Sequence, residues 1–244
     1  MKKNVLFSVG LVVVLFTLFS CGGEKKSEGS EKKQELPANP INGHEYVDLG
    51  LPSGTLWATC NVGATNPEDF GGYYAWGETE EKKDYSWKTY KWCDGDEFSM
   101  TKYCTDSYFG KVDNKTTLDP EDDVAHVKWG GSWRMPTKAE QDELRQQCKW
   151  EWTTRREVEG YRVIGPNGKS IFLPVAGFHN STDFSGSSGD YWSSSLDESH
   201  SSRAYYLGFS DSYCYLPSLT SSYDGYYWDS YYRYYGRSVR PVSK

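Results

Sequence analysis

From residue 41 onward the apolar positions come in short runs separated by Gly, Pro, Asn and Ser, a pattern of strands and turns. Between Gly160 and Pro174, two β-rich runs flank Asn167-Gly168, a strong short-range hairpin signal. Tyr205, Leu207 and Phe209 alternate with their neighbours and share one face of a predicted strand. Arg237 to Arg240 reads as a last strand, closed by Pro241. Helical signals are confined to two places. Thr137 and Glu140 form a capping box, opening a helix predicted to reach about Cys148 and to bury Leu144 and Cys148, four positions apart. Asp119 as N-cap, Pro120 at the first helical position and the acids Glu121, Asp122 and Asp123 predict a second, short helix with Val124 and Val127 facing inward. The expected class is α+β: two helices set into a chain of strands and long loops.

The first twenty residues follow another logic. Lys2 and Lys3 precede an apolar run from Val5 to Phe19, short for a membrane span and suited to a signal-peptide core. The run ends in Leu18-Phe19-Ser20-Cys21, which resembles the lipobox of bacterial lipoproteins, although Phe19 is bulkier than the usual residue there. That resemblance implies acylation at Cys21, which becomes the new N-terminus; ordinary secretion with Cys21 as a free thiol is the alternative. Residues 21–40 are polar, with mixed charge, and predict a solvated tether that cannot bury enough surface to offset ordering. Glu24 and Glu28 are compatible with the acidic stretch of lipoproteins exported to the outer face of the outer membrane, while Lys25 and Lys26 dilute it. Residues 41–244 are then one domain, long enough for a core of its own.

Removing Lys2 and Lys3 takes the net charge from −7 to −9. An acidic domain is a poor partner for nucleic acid, whose affinity rests on Lys and Arg meeting phosphates. Five cysteines follow Cys21, namely Cys60, Cys93, Cys104, Cys148 and Cys214. An odd count leaves one thiol unpaired, and Cys93 with Cys104, nearest in sequence, is the favoured bridge. There is no CxxC and the four His are scattered, so neither zinc nor any other cofactor is expected.

Several segments, taken in order, resemble the Fibrobacter succinogenes major paralogous domain. They are Glu45 to Ala64 (EYVDLGLPSGTLWATCNVGA), Tyr74 to Glu78 (YAWGE), Gly130 to Thr137 (GGSWRMPT), Ile171 to Pro174 (IFLP), Tyr191 to Ser194 (YWSS) and Gly236 to Val242 (GRSVRPV). The resemblance spans nearly the whole chain after the tether. It implies a C-type-lectin-like fold, with two helices, a twisted antiparallel sheet and long loops presenting a ligand surface, on an envelope lipoprotein without established catalytic residues. The variable proteins of diversity-generating retroelements are similar, with hypervariable Tyr, Ser, Asp and Asn near the C-terminus. From the residues themselves, Trp57, Trp76, Trp133 and Trp192 sit beside small residues and are expected as half-buried rings under loops. Arg134 and Arg240 are expected to tie loop carbonyls or a carboxylate.

Catalytic patterns are weak. Ser185 to Gly189 lacks the GxSxG spacing, and the carboxylate pairs Asp122/Asp123 and Glu78/Glu80 read as helix starts or solvated faces. Asp94 to Glu97 is too short for an EF-hand loop. The calcium triplet of sugar-binding C-type lectins is missing, and Trp228-Asp229 is only a faint echo of their second motif. Formylglycine-generating enzymes share that fold class but need a cysteine pair near the C-terminus, where Cys214 stands alone.

The richest segment is the last. Residues 191–235 hold 12 of the chain's 20 Tyr, with 12 Ser. Tyr-Tyr doublets place a ring on each side of any strand, and buried hydroxyls need partners, so a pure core is disfavoured. Tyr with Ser, Gly and Asp is also the vocabulary of antibody loops, which combine flat rings with small polar groups. The expected ligand-binding set is Tyr213, Tyr215, Tyr223, Asp224, Tyr226, Tyr227, Trp228, Asp229, Tyr231 and Tyr232, with contact surface before Arg233 and framework after it. The expected function is a non-catalytic surface module for a protein or glycan ligand. A structural or adhesive envelope or pilus component is the alternative, and a carbohydrate-active enzyme the minor one.

Overall fold

The computed structural model of the chain describes residues 40–211 and 230–244. Cys21, the tether to residue 39, Cys214 and the expected contact residues Tyr213 to Asp229 lie outside the described residues. The architecture is α+β. In place of one twisted sheet, the strands form four small antiparallel sheets of three strands each.

The first sheet closes the two ends of the domain on each other. β1 (Tyr46–Asp48) pairs with β2 (Leu56–Ala58), and the last strand lies on the other edge of β2, with Val242 opposite Trp57. Residues 59–123 then run largely as loops, with two 3-10 turns at Trp87–Thr89 and Pro120–Asp122. Next come α1 (Val124–Trp129) and α2 (Lys138–Gln147). A three-strand meander follows, made of β3 (Lys149–Arg155), β4 (Val158–Ile164) and β5 (Ser170–Pro174). As expected, Asn167-Gly168 turns the chain between β4 and β5, with Gly168 at φ +82°. β6 (Phe178–Asn180) and β7 (Asp183–Ser185) form a short hairpin. β8 (Gly189–Leu196), β9 (Arg203–Phe209) and β10 (Ser230–Tyr232) make the third complete sheet, in the order β10-β9-β8. β11 (Gly236–Arg237) adds to β6, and β12 (Val242–Ser243) is the strand on β2. Among the described residues no helix is long and apolar enough to cross a membrane.

The capping box is formed: the Thr137 hydroxyl accepts from the Glu140 N–H, and the Glu140 carboxylate accepts from the Thr137 N–H at 2.9 Å. Leu144 and Cys148 are buried, as their spacing predicts. The other helix departs from expectation. Its cap is Asp123, whose Oδ1 accepts from Ala125 and His126, while Asp119 starts only the 3-10 turn. With six residues the helix buries Val124, Ala125 and Trp129, and Val127 is 48% exposed. The large Trp129 ring takes the inward place that Val127 was expected to fill.

The expected last strand is also divided. Arg237 pairs with β6, whereas Val242 pairs with β2, so the chain changes sheets between them. Arg240 stands at the crossing, fully buried and, among the described residues, without a carboxylate partner. Its Nε donates to Asn61 Oδ1 at 2.8 Å, its Nη1 to the Ala58 and Thr59 carbonyls, and its Nη2 to Phe172 O at 3.0 Å. Burial lowers its pKa. Four oriented dipoles from two segments, residues 58–61 and Phe172, therefore substitute for water around the charge. Arg134 matches its expected role, gripping Glu140 through two N–H···O contacts of 2.7 and 2.5 Å.

The four tryptophans are buried more deeply than expected, at 0–1% exposure. Three donate their indole N–H to a carbonyl from a distant segment: Trp76 to Ser193, Trp133 to Ile41, and Trp192 to Tyr74. Each ring thereby fills core volume and holds a loop. The expected Cys93–Cys104 bridge is absent. The Cys93 thiol donates to Trp87 O at 3.2 Å and the Cys104 thiol to Asp106 O at 3.1 Å, so each sulfur is drawn to its own loop. Cys60 and Cys148 are free as well.

Candidate binding surface

The connection from β9 to β10 carries eight of the ten expected contact residues, and the structure defines its two anchors. β9 and β10 are paired neighbours, with Ser230 opposite Tyr205, Tyr231 opposite Ala204 and Tyr232 opposite Arg203. At the returning end the Ser230 hydroxyl donates to Asp197 Oδ2 at 2.6 Å, in the turn that joins β8 to β9. The segment thus begins and ends on adjacent strands of one sheet.

Arg233, directly after β10, fixes that end. It is fully buried; Nε donates to the Tyr90 hydroxyl at 2.8 Å, Nη1 to the Tyr103 and Ser201 carbonyls, and Nη2 to Lys102 O at 3.0 Å. The guanidinium carbon lies 4.8 Å from the Trp76 ring centre. One side chain therefore joins the 90–103 loop, the β8–β9 turn and the end of β10. In the sequence Arg233 marks only a boundary. The available signal was a lone cation inside a run of rings, which must find buried acceptors if the rings pack.

Around this anchor the Tyr side chains form a layer. Tyr232 and Tyr234 stack at 5.8 Å with 13° between planes, and Trp87 meets both edge-to-face at 5.7 and 4.7 Å. Tyr231 packs against Tyr235 at 4.7 Å. Tyr231, Tyr232 and Tyr234 are half-buried, and burial pushes the Tyr234 hydroxyl pKa up. Of the expected contact set, the structure therefore places Tyr231 and Tyr232 in a paired strand that is packed on the core, with part of each ring left to solvent. The framework therefore includes Ser230, Tyr231 and Tyr232, three residues on the contact side of the expected boundary at Arg233.

Beneath this layer lies Arg237, 2% exposed, with its guanidinium carbon 3.7 Å from the Tyr206 ring centre and 4.5 Å from that of Trp192. Its Nε is 3.6 Å from Asp190 Oδ1, too far for a hydrogen bond, and Nε and Nη1 have no acceptor among the described residues. Burial raises the Asp190 carboxyl pKa, with Arg237 opposing it. The rings hold the cation largely through their π faces.

Arrangements that resemble catalytic ones resolve into structural contacts. Asp197, Ser199 and His200 are neighbours, but Ser199 Oγ (3.0 Å) and Asp197 Oδ2 (3.9 Å) both address His200 Nδ1. A relay needs the acid and the nucleophile on opposite ring nitrogens. Asp122 is taken up by Lys91, Lys102 and the Tyr103 hydroxyl, Asp123 by three backbone N–H groups, Glu78 by Lys82 and Glu80 by Lys128. Asp119, Glu121 and Asp122 lie close enough together to hold a cation, and Lys102 Nζ already fills that role, 2.6 Å from Asp119 and from Asp122. Models of protein families, curated proteins and solved structures were all compared with this chain, and none matches it.

Proposed function

We propose that this chain is a non-catalytic envelope lipoprotein of the Fibrobacter succinogenes major paralogous domain type, C-type-lectin-like in arrangement. In this reading it is anchored at Cys21 in the outer membrane, facing the exterior, and it displays the segment between β9 and β10 to a protein or glycan ligand. The observation that carries the reading is the two-ended anchoring of that segment. A connection rich in Tyr, Ser and Asp springs from paired strands, with Arg233 and Asp197 fixing its return. Anchored ends, and Tyr side chains with few torsions to freeze, favour a low ordering cost of binding.

The purified chain, screened on glycan and protein arrays with and without a chelator, tests the reading. Tyr226→Ala with Tyr227→Ala is expected to abolish retention and, if the two rings serve the ligand and not the core, to leave the melting curve unchanged. Retention that survives this change sinks the assignment. Tyr231→Ala with Tyr232→Ala is a separate variant, expected to lower the melting temperature because those rings pack on the core. Labelling with a fatty-acid analogue that is lost in Cys21→Ala tests the anchor.

A further inference from the structure

We propose a second docking surface, built by the loop of residues 94–109 and suited to a cationic polypeptide; it stands independently of the ligand reading of the β9–β10 connection. Phe98 and Tyr108 are large rings with 49% and 66% exposure. They meet edge-to-face at 5.2 Å, and both contact Phe109, at 6.2 and 5.1 Å. Phe109 is buried in a core cluster with Tyr90, Met100 and Cys104, so the exposed pair is rooted in the fold.

The rings are held ready by their own loop. Asp96 Oδ1 accepts from the Phe98 N–H at 2.8 Å, and Asp106 Oδ1 accepts from the Tyr108 N–H at 2.9 Å. Met100 ties the two halves together, its N–H donating to Phe109 O and its carbonyl accepting from Lys111 N–H, both at 2.8 Å. A partner landing on such a surface has little backbone to order.

Charge selects the partner. Asp94, Asp96, Glu97 and Asp106 lie on this loop, and Thr105 Oγ1 donates to the carbonyl of Glu198 at 2.8 Å, which brings a fifth acid alongside. Among the described residues none of these five carboxylates pairs with a Lys or Arg. Lys111 is the one basic residue within three positions of the rings. The contrast with Asp119 and Asp122 a short way along the chain, both satisfied by lysines, marks the loop's acids as unmatched. Ring faces carry a negative quadrupole, and carboxylates around them deepen the field. Lys or Arg side chains of a polypeptide satisfy both at once, by cation–π contact and ion pairing. The same field repels nucleic acid and anionic glycans.

The test uses the full chain with two fluorescent probes, a twelve-residue Arg-Gly peptide and a Glu-Gly peptide of the same length, followed by anisotropy. The Arg-Gly probe is expected to bind, more weakly as salt rises, and the Glu-Gly probe is not. Phe98→Ala with Tyr108→Ala should weaken binding about tenfold at an unchanged melting temperature. Asp94→Asn with Glu97→Gln should weaken it and flatten the salt dependence. Tyr226→Ala with Tyr227→Ala should leave it intact, which separates this surface from the Tyr-rich one. The proposal is overturned if the wild-type chain ignores the Arg-Gly probe, if both probes bind alike, or if the Phe98/Tyr108 variant binds as well as wild type. It is equally overturned if ultracentrifugation shows that these rings instead hold two copies of the chain together.

Discussion

Replacing Arg233 with Met keeps a long, flexible side chain in place and removes every donor. Three backbone carbonyls, of Lys102, Tyr103 and Ser201, then lose the only hydrogen bond each accepts among the described residues. A buried acceptor left unmet costs about 1–3 kcal/mol. Lys102 O borders on solvent, so the lower end applies to it, and the three together cost about 4 kcal/mol. Loss of the charge above Trp76 adds about 1 kcal/mol. For a domain of this size each kcal/mol lowers the melting temperature by about 2–4 °C, so Arg233→Met should melt about 10–20 °C below wild type. Lys can meet one or two of the carbonyls but lacks the planar fork, and Arg233→Lys should fall between the two. The assay is thermal unfolding followed by near-UV circular dichroism, which reads the Trp and Tyr packing itself. A drop of under about 3 °C for Arg233→Met, or a Lys variant no better than Met, would show that Arg233 does not join the three segments.

Acid should expose the Arg134–Glu140 pair. Although burial alone would raise it, the Arg134 guanidinium and the Thr137 N–H hold the Glu140 carboxyl pKa down at about 2. A depressed folded-state pKa means stability that is complete above the ordinary carboxylate value and lost as pH falls from about 4.5 toward 2. Arg134 is one-third exposed, so solvent screening limits the effect to about 2 kcal/mol; Glu140→Gln should flatten wild-type acid sensitivity in that window, and an unchanged profile refutes the assignment. Alkylation of the denatured, unreduced protein followed by peptide mass spectrometry should find Cys93 and Cys104 as separate blocked thiols, and a crosslinked peptide would restore the bridge. In the native protein, burial pushes the Cys148 thiol up to about 11, so it should react with a thiol reagent only slowly at pH 8.

What the sequence determined by itself is local. A capping box is satisfied by residues three apart, and Asn167-Gly168 turns a hairpin through backbone freedom that needs no distant partner. Tryptophans beside small residues predict buried rings, and four of them are. A lone arginine among apolar neighbours demands acceptors, which is why Arg134 and Arg240 could be foreseen as ties. The helix after Pro120 was foreseen too, but its register depended on whether Asp119 or Asp123 caught the free N–H groups. That depended on Met135, whose N–H also binds Asp123 from twelve residues away.

Tertiary structure decided the rest, because long-range pairing carries no local signature. Nothing near Arg237 or Val242 says that they belong to different sheets; that goes with the carbonyls of two remote segments, at Ala58–Thr59 and at Phe172, that Arg240 reaches between them. Sequence proximity favoured a Cys93–Cys104 bridge, and the fold gave each thiol a carbonyl instead. The Tyr composition suggests a surface, yet only the pairing of Ser230 with Tyr205 shows that Tyr231 and Tyr232 belong to a strand of the framework. Phe98 and Tyr108, ten residues apart and unremarked in the sequence, face solvent together because Met100 draws the two halves of their loop into contact. Composition can name the residues of a surface, but which of them share it is set by hydrogen bonds between segments far apart in the chain.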